Sequence, residues 1–209
     1  MSRIQNHRLS ILHAAILCIS GFGYVSFFSG CSTPSAPDPL IFKEEYAGNV
    51  SAFYGTHGPA RDSANDPAAP DFYWRSSSGA LDSLSGQAGK IVLLNFWATW
   101  CGPCKAEIPG LQAIAKKYSP DSVIVIGVSV DNNGYAFGKV SSYCQQNGDT
   151  YQMVIDSDYH IYQLWAVDGY GQNFDIPYTF LLRPSGTIAK YFVGEQPEAT
   201  FVDAIDKLR

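Results

Sequence analysis

Basic charge is scarce in this 209-residue chain, and nowhere does it gather into a stripe. Fourteen Lys and Arg stand against nineteen Asp and Glu, a net charge of −5. Arg3 and Arg8 are the only charged residues in the first 30 positions, so the sequence from residue 31 onward carries −7. An acidic chain without a basic patch does not attract polyanions, which sets nucleic acid aside as a partner. Cysteine is sparse as well. The five residues Cys18, Cys31, Cys101, Cys104 and Cys144 are neither even in number nor dense, which excludes a small disulfide-stapled scaffold. Four scattered His and the lack of a second close Cys pair leave no zinc-ligand set, so no metal is expected. No internal repeat is visible. The 46% apolar content allows one packed domain plus additional sequence.

What the chain does contain begins with an address. Arg3 and Arg8 give a positive start, residues 11–28 are mostly apolar and small, and Phe28-Ser29-Gly30-Cys31 ends the run. That order is the order of a secretory signal peptide over residues 1–30. The run also just reaches the roughly 20 residues an uncleaved membrane helix needs. The small pair Ser29-Gly30, with a Cys directly after it, favours cleavage. Cys18 lies inside the run as an apolar filler. Phe28-Ser29-Gly30-Cys31 resembles the lipobox of bacterial lipoproteins, with Phe28 where that family usually has Leu. The resemblance implies lipidation of Cys31 and attachment to a membrane through it. Ser32, rather than Asp, after that Cys implies the outer membrane in a two-membrane cell. Each of these readings places the folded part outside the cytoplasm.

Residues 31–70 are rich in Pro, Ala, Ser, Asp and Gly and read as a tether. Leu40-Ile41-Phe42, Tyr46, Phe53 and Tyr54 within it are available to dock on a domain. From residue 71 apolar runs alternate with helical spacing. Strands are expected at 72–74, 91–97, 123–130, 151–154, 178–183 and 188–193. Helices are expected at 104–118, 137–146, 161–167 and 198–208. Strand–helix–strand in the first half predicts a parallel pair with a right-handed crossover, and the turn Pro184-Ser185-Gly186 predicts a closing hairpin. The fold class is α/β, a mixed sheet flanked by helices.

The segment Asn95-Phe96-Trp97-Ala98-Thr99-Trp100-Cys101-Gly102-Pro103-Cys104-Lys105 lies where a buried strand ends and a helix starts. Cys101 then sits at the helix N-terminus, where free N–H groups and the dipole favour a thiolate. Cys104 comes round beside it one turn later, and Pro103 suits the first turn because its missing N–H loses no partner. The expectation is an exposed nucleophile, Cys101, and a buried resolving thiol, Cys104. Half of a zinc site and a structural disulfide are the competing readings. Trp100 on one side and the Gly102-Pro103 spacer argue against the second. Lys105, where His would be needed, excludes covalent haem attachment.

The same segment resembles the active-site segment of thioredoxins, and more closely that of the membrane-tethered TlpA/ResA branch. There Asn stands, like Asn95, where thioredoxins carry a buried Asp, and Lys105-Ala106-Glu107-Ile108-Pro109 matches as well. Over residues 71–209 the resemblance implies a thioredoxin fold with a redox-active Cys101–Cys104 disulfide, supported by Trp100, Gly102 and Pro103, and no separate cofactor. Glu107 corresponds to the acidic residue that tunes the thiols in that branch; on spacing alone it is equally a surface carboxylate. Pro109 should kink the helix. Asp175-Ile176-Pro177-Tyr178 resembles the family's cis-proline loop, in which Ile176 and Pro177 offer a backbone edge to an extended substrate. A trans proline opening a strand is the alternative. The 168–174 connection is longer than usual for the family and is expected to shape substrate choice, and Arg183 stands where Asp is common. Phe137, Val140 and Cys144 share a helical face, so Cys144 reads as a core residue, with a third redox thiol as the alternative. His160 caps or decorates a surface helix.

By the same resemblance the substrates are disulfides of exported proteins and the electron source is a membrane thiol–disulfide donor. The Gly-Pro spacer implies the reducing direction, and cytochrome c maturation is one client route. Two other classes compete. A peroxiredoxin-like peroxidase wants a lone Cys preceded by Thr and Pro at set spacing. The other is a non-catalytic metallochaperone or holdase lipoprotein of this fold; a copper chaperone would show C-x-x-x-C, which is absent here.

Overall fold

The computed structural model describes residues 50–57 (as backbone), 69–75, 79–165 and 175–209. The signal peptide, Cys18, Cys31, the first part of the tether and the 168–174 connection lie outside the described residues. In chain order the strands are β1 (Val50–His57), β2 (Asp71–Arg75), β3 (Leu81–Ser83), β4 (Ile91–Trp97), β5 (Val123–Ser129), β6 (Gln152–Ile155), β7 (Tyr178–Leu182) and β8 (Ile188–Val193). The helices are α1 (Gly102–Lys117), α2 (Ala136–Asn147), α3 (His160–Trp165) and α4 (Glu198–Asp206).

All eight strands join one sheet in the order β3-β2-β1-β6-β5-β4-β7-β8. Its centre is made of the most apolar runs. Every residue of β4 is buried, as expected of a parallel strand covered on both faces. β4 runs parallel to β5 from Ile91↔Val123 to Trp97↔Ser129, and antiparallel to β7 from Val92↔Leu182 to Phe96↔Tyr178. β7 in turn pairs antiparallel with β8 from Tyr178↔Val193 to Leu182↔Ile188, so the expected parallel pair and closing hairpin are both present. His160 opens α3 and is exposed.

The sheet begins upstream of residue 71. Strand β1 falls inside the stretch read as a tether, and its sequence, Val-Ser-Ala-Phe-Tyr-Gly-Thr-His, has little apolar periodicity. Ladder pairing with distant partners places it: parallel to β6 through Val50↔Met153, antiparallel to β2 through Thr56↔Phe72. The short edge strand β3 was likewise not expected.

The two faces of the sheet differ. Asn95 and Trp97 of β4 point to the side that carries α1, α2 and α4: Trp97 packs on Tyr143 of α2 at 5.3 Å, and Phe192 meets Phe201 of α4 edge-on at 5.0 Å. Consecutive right-handed crossovers in one direction put α1 and α2 on the same side. Phe96 points the other way, to Trp165 and Tyr162 of α3 at 5.9 and 6.4 Å. Alternation along one strand thus divides a polar pocket under α1 from an aromatic layer under α3.

Candidate active site

β4 ends at Trp97, the turn Ala98-Thr99-Trp100 follows, and Cys101 is the N-cap of α1 with φ −83° and ψ 112°. The Cys104 amide donates to the Cys101 sulfur at 3.1 Å, the bond an N-cap side chain makes with a free N–H of the first turn. Cys101 and Cys104 are joined by a disulfide, their Cα atoms 5.3 Å apart. α1 continues through Pro109.

Exposure is not distributed as the sequence implied. Cys101 is only 5% exposed, against 1% for Cys104, while Trp100 between turn and cap is 65% exposed. Two neighbours cover the expected open nucleophile: its disulfide partner, and the carbonyl oxygen of Ile176, 3.6 Å from the Cys101 sulfur. In the disulfide that sulfur has no proton, so the approach is a contact; a reduced thiol there has an acceptor facing it. The Ile176–Pro177 peptide is cis. Pro177 is buried, and its carbonyl accepts from Gly194 N–H at 2.9 Å.

Glu107 lies one helical turn beyond Cys104 on the inner face of α1 and is 3% exposed, so the surface reading fails. Its Oε1 accepts from the Asn95 amide at 2.9 Å and from the Thr179 hydroxyl at 3.4 Å. Its Oε2 accepts from the Gln196 N–H at 2.8 Å. Burial pushes the carboxyl up from 4.5 to about 7, the Gln196 and Thr179 bonds pull it back in part, and the charge of Glu195 adds to the rise. A carboxyl so placed exchanges its proton near neutrality, as acid–base chemistry requires. Cys144, at 2% exposure, is a free thiol in the core of α2. Burial first, and then the Asp149 charge, push it up to about 12, which favours the protonated thiol.

The profile of the AhpC/TSA family matches residues 66–191, more than half of the chain and the whole of this site up to β8. The chain belongs to the AhpC/TSA family. This AhpC/TSA chain is 30% identical over 141 residues to the thiol-disulfide oxidoreductase ResA of Bacillus subtilis, covering 68% of this chain and 74% of ResA. It is also 30% identical over 143 residues to the thioredoxin-like protein YneN of the same organism, covering 66% and 76%. Among solved structures, StoA from Bacillus subtilis aligns with TM-score 0.53 and 28% identity over 66% of this chain and 98% of StoA. A thioredoxin family thiol:disulfide interchange protein from Chlorobium tepidum aligns with TM-score 0.61 over 70% and 99%; at 24% identity it speaks for the fold alone. The AhpC/TSA chain thus has a thioredoxin fold and is a thiol–disulfide oxidoreductase.

Several residues at the site escaped the sequence reading. Thr179 and Gln196 reach Glu107 from 72 and 89 positions away, with no local signal. Asp131 did leave one: a carboxylate directly after an apolar strand, at the same end of the sheet as Cys101. It is 1% exposed and accepts from both Thr99 N–H and Thr99 Oγ1.

Proposed function

We propose that the protein acts outside the cytoplasm as a reductase of disulfides in exported proteins, with Cys101 and Cys104 as its only redox group and no further cofactor. The observation carrying this reading is a disulfide at the N-terminus of α1 that touches the Ile176 carbonyl and has buried Glu107 one turn along the helix. The Cys101 thiolate attacks a substrate disulfide; a mixed disulfide forms, and one substrate sulfur leaves and takes a proton. Cys104 then gives up its proton, with the Glu107 carboxylate as acceptor, and attacks the Cys101 sulfur. The second substrate sulfur leaves, and the protein ends as the disulfide, two electrons poorer. A membrane dithiol donor returns those electrons. Trp100, Gly102 and Pro103 shape the turn, and Ile176 and Pro177 offer the backbone edge along which an extended client lies. Attachment through lipidated Cys31 would hold the domain at the membrane; labelled-lipid incorporation lost in Cys31→Ser tests it.

The deciding experiment is the potential of the Cys101–Cys104 couple in dithiothreitol and glutathione buffers. A value below about −250 mV fits a reductase, and one above about −150 mV makes the protein an oxidant and reverses the assigned direction. Hydroperoxide consumption at the expense of a dithiol would instead favour the peroxidase reading.

A further inference from the structure

We infer that Thr99 and Asp131 form a clamp that positions Cys101, with Asp131 at the end of β5 holding the turn that delivers the nucleophile. The turn Ala98-Thr99-Trp100 has few ties of its own. Cys101 N–H donates to Ala98 O at 3.1 Å, and Trp100 projects into solvent. Thr99 is held twice by one carboxylate: its N–H donates to Oδ2 of Asp131 at 2.9 Å and its hydroxyl to Oδ1 at 2.6 Å. Asp131 is itself fixed, since Oδ2 also accepts from Ser129 Oγ at 2.8 Å while the Asp131 N–H donates to that hydroxyl at 3.2 Å. Alongside, Val130 N–H donates to Trp97 O at 2.9 Å and ties the ends of β4 and β5 together.

Hydrogen bonds to an ionised acceptor are the strong kind, and two on one residue fix orientation as well as distance. The clamp gains importance once the disulfide is reduced and the covalent tie between Cys101 and Cys104 is gone. The Cys104 N–H and the helix dipole stabilise a thiolate only while the Cys101 sulfur stays at the cap, because both effects fade within the first turn. A displaced turn therefore raises the thiol's proton affinity and misaligns its attack. The charge of Asp131 by itself acts in the opposite sense, since a neighbouring anion disfavours a thiolate. Positioning and simple electrostatics thus predict opposite signs when the carboxylate is neutralised.

The inference rests on Cys101 being the attacking thiol. Its test uses the full chain, reduced, and follows Cys101 alkylation by iodoacetamide against pH, resolved by peptide, together with the rate of reaction with oxidised glutathione. Thr99→Val removes one clamp bond and leaves the ionisable groups near Cys101 in place: Cys104, Lys105 and Glu107 of α1, Asp131 after β5, and Asp175 before Ile176. The alkylation midpoint should rise by about 0.5 or more on the pH scale, and the rate at pH 7 should fall about three- to tenfold. Thr99→Ser, which keeps the hydroxyl, should behave as the parent. If Thr99→Val matches the parent in midpoint and rate, whatever its melting temperature, the clamp is only structural and the inference is overturned. Asp131→Asn serves if Thr99→Val does not fold: a raised midpoint supports positioning, while a lowered one leaves only charge and overturns it. A Cys101→Ser protein that still reacts with glutathione at the parent rate overturns the nucleophile assignment itself, an outcome distinct from an unchanged Thr99→Val.

Discussion

The side-chain amide of Asn95 donates to Oε1 of Glu107 across 2.9 Å, joining the middle of β4 to the inner face of α1. The same amide donates to Thr179 Oγ1 at 2.9 Å, so its nitrogen faces both acceptors. An Asp at this position would set two carboxylates against each other and force them to share a proton. With Asn there, Glu107 can ionise, at a penalty set by burial. The folded carboxyl titrates near 7, above its ordinary 4.5, so the folded state binds the proton more tightly than the unfolded state does. Its contribution is therefore most favourable below about pH 4.5 and is lost as the pH rises through about 7. The full loss is on the order of 3 kcal/mol, from 1.36 kcal/mol per pH unit between 4.5 and about 7. Glu107→Gln should remove most of that fall. Urea unfolding of the oxidised protein at pH 5 and pH 8 checks it; an equal change in parent and variant would refute the assignment.

Much of this architecture was legible because it is written locally. The run Ile91–Trp97 is apolar except for Asn95 and became a fully buried strand, and Cys101-Gly102-Pro103-Cys104 one short turn later fixed where a helix had to start. Strand β1 was not legible, because ladder pairing with β6 and β2 places it and its own sequence carries no clear apolar pattern. The burial of Glu107 was hidden for a related reason. Spacing gives a position in the first turns of a helix, but only tertiary packing says that β4, β7 and the residues after β8 close over it. Motif chemistry is local, and the groups that tune it come from across the sheet.

The division of labour between the two thiols predicts a trapped species. Cys104 is the more buried residue of the pair, and in the proposed cycle it alone releases the client. Cys104→Ser should therefore accumulate a mixed disulfide between Cys101 and a substrate protein, visible on non-reducing gels and collapsing with dithiothreitol. Cys101→Ser should give no such adduct and lose turnover. Adducts mapped to Cys104 in Cys101→Ser would reverse the assignment.

Gly127 of β5 pairs with Asn95 on one side and Met153 on the other. A Cβ added there would lie 2.5 Å from Met153 Sδ, 3.2 Å from Trp97 Nε1 and 3.3 Å from Tyr151 Cε2. The Met chain can swing aside, but the two rings are held in the core. Gly127→Ala should destabilise the protein by about 1–3 kcal/mol, the usual range for overpacking. Urea denaturation measures it, and a change below about 0.5 kcal/mol would show that the pocket beside Asn95 yields freely.

Cys144 offers a contrast of two kinds of cysteine in one fold. Its thiol is pushed up to about 12 by burial and by Asp149, and it lies on the inner face of α2. At pH 8 the thiolate fraction is then about one in 10⁴, while Cys101 sits where an N–H and a helix dipole favour the anion. Peptide-resolved alkylation of the reduced protein at that pH should label Cys101 within minutes and leave Cys144 unlabelled. Addition of urea should expose Cys144 and bring its rate up to that of an ordinary thiol. Rapid labelling of Cys144 in the folded protein, at a rate that urea does not change, would mean that α2 opens readily and would restore the third-thiol reading.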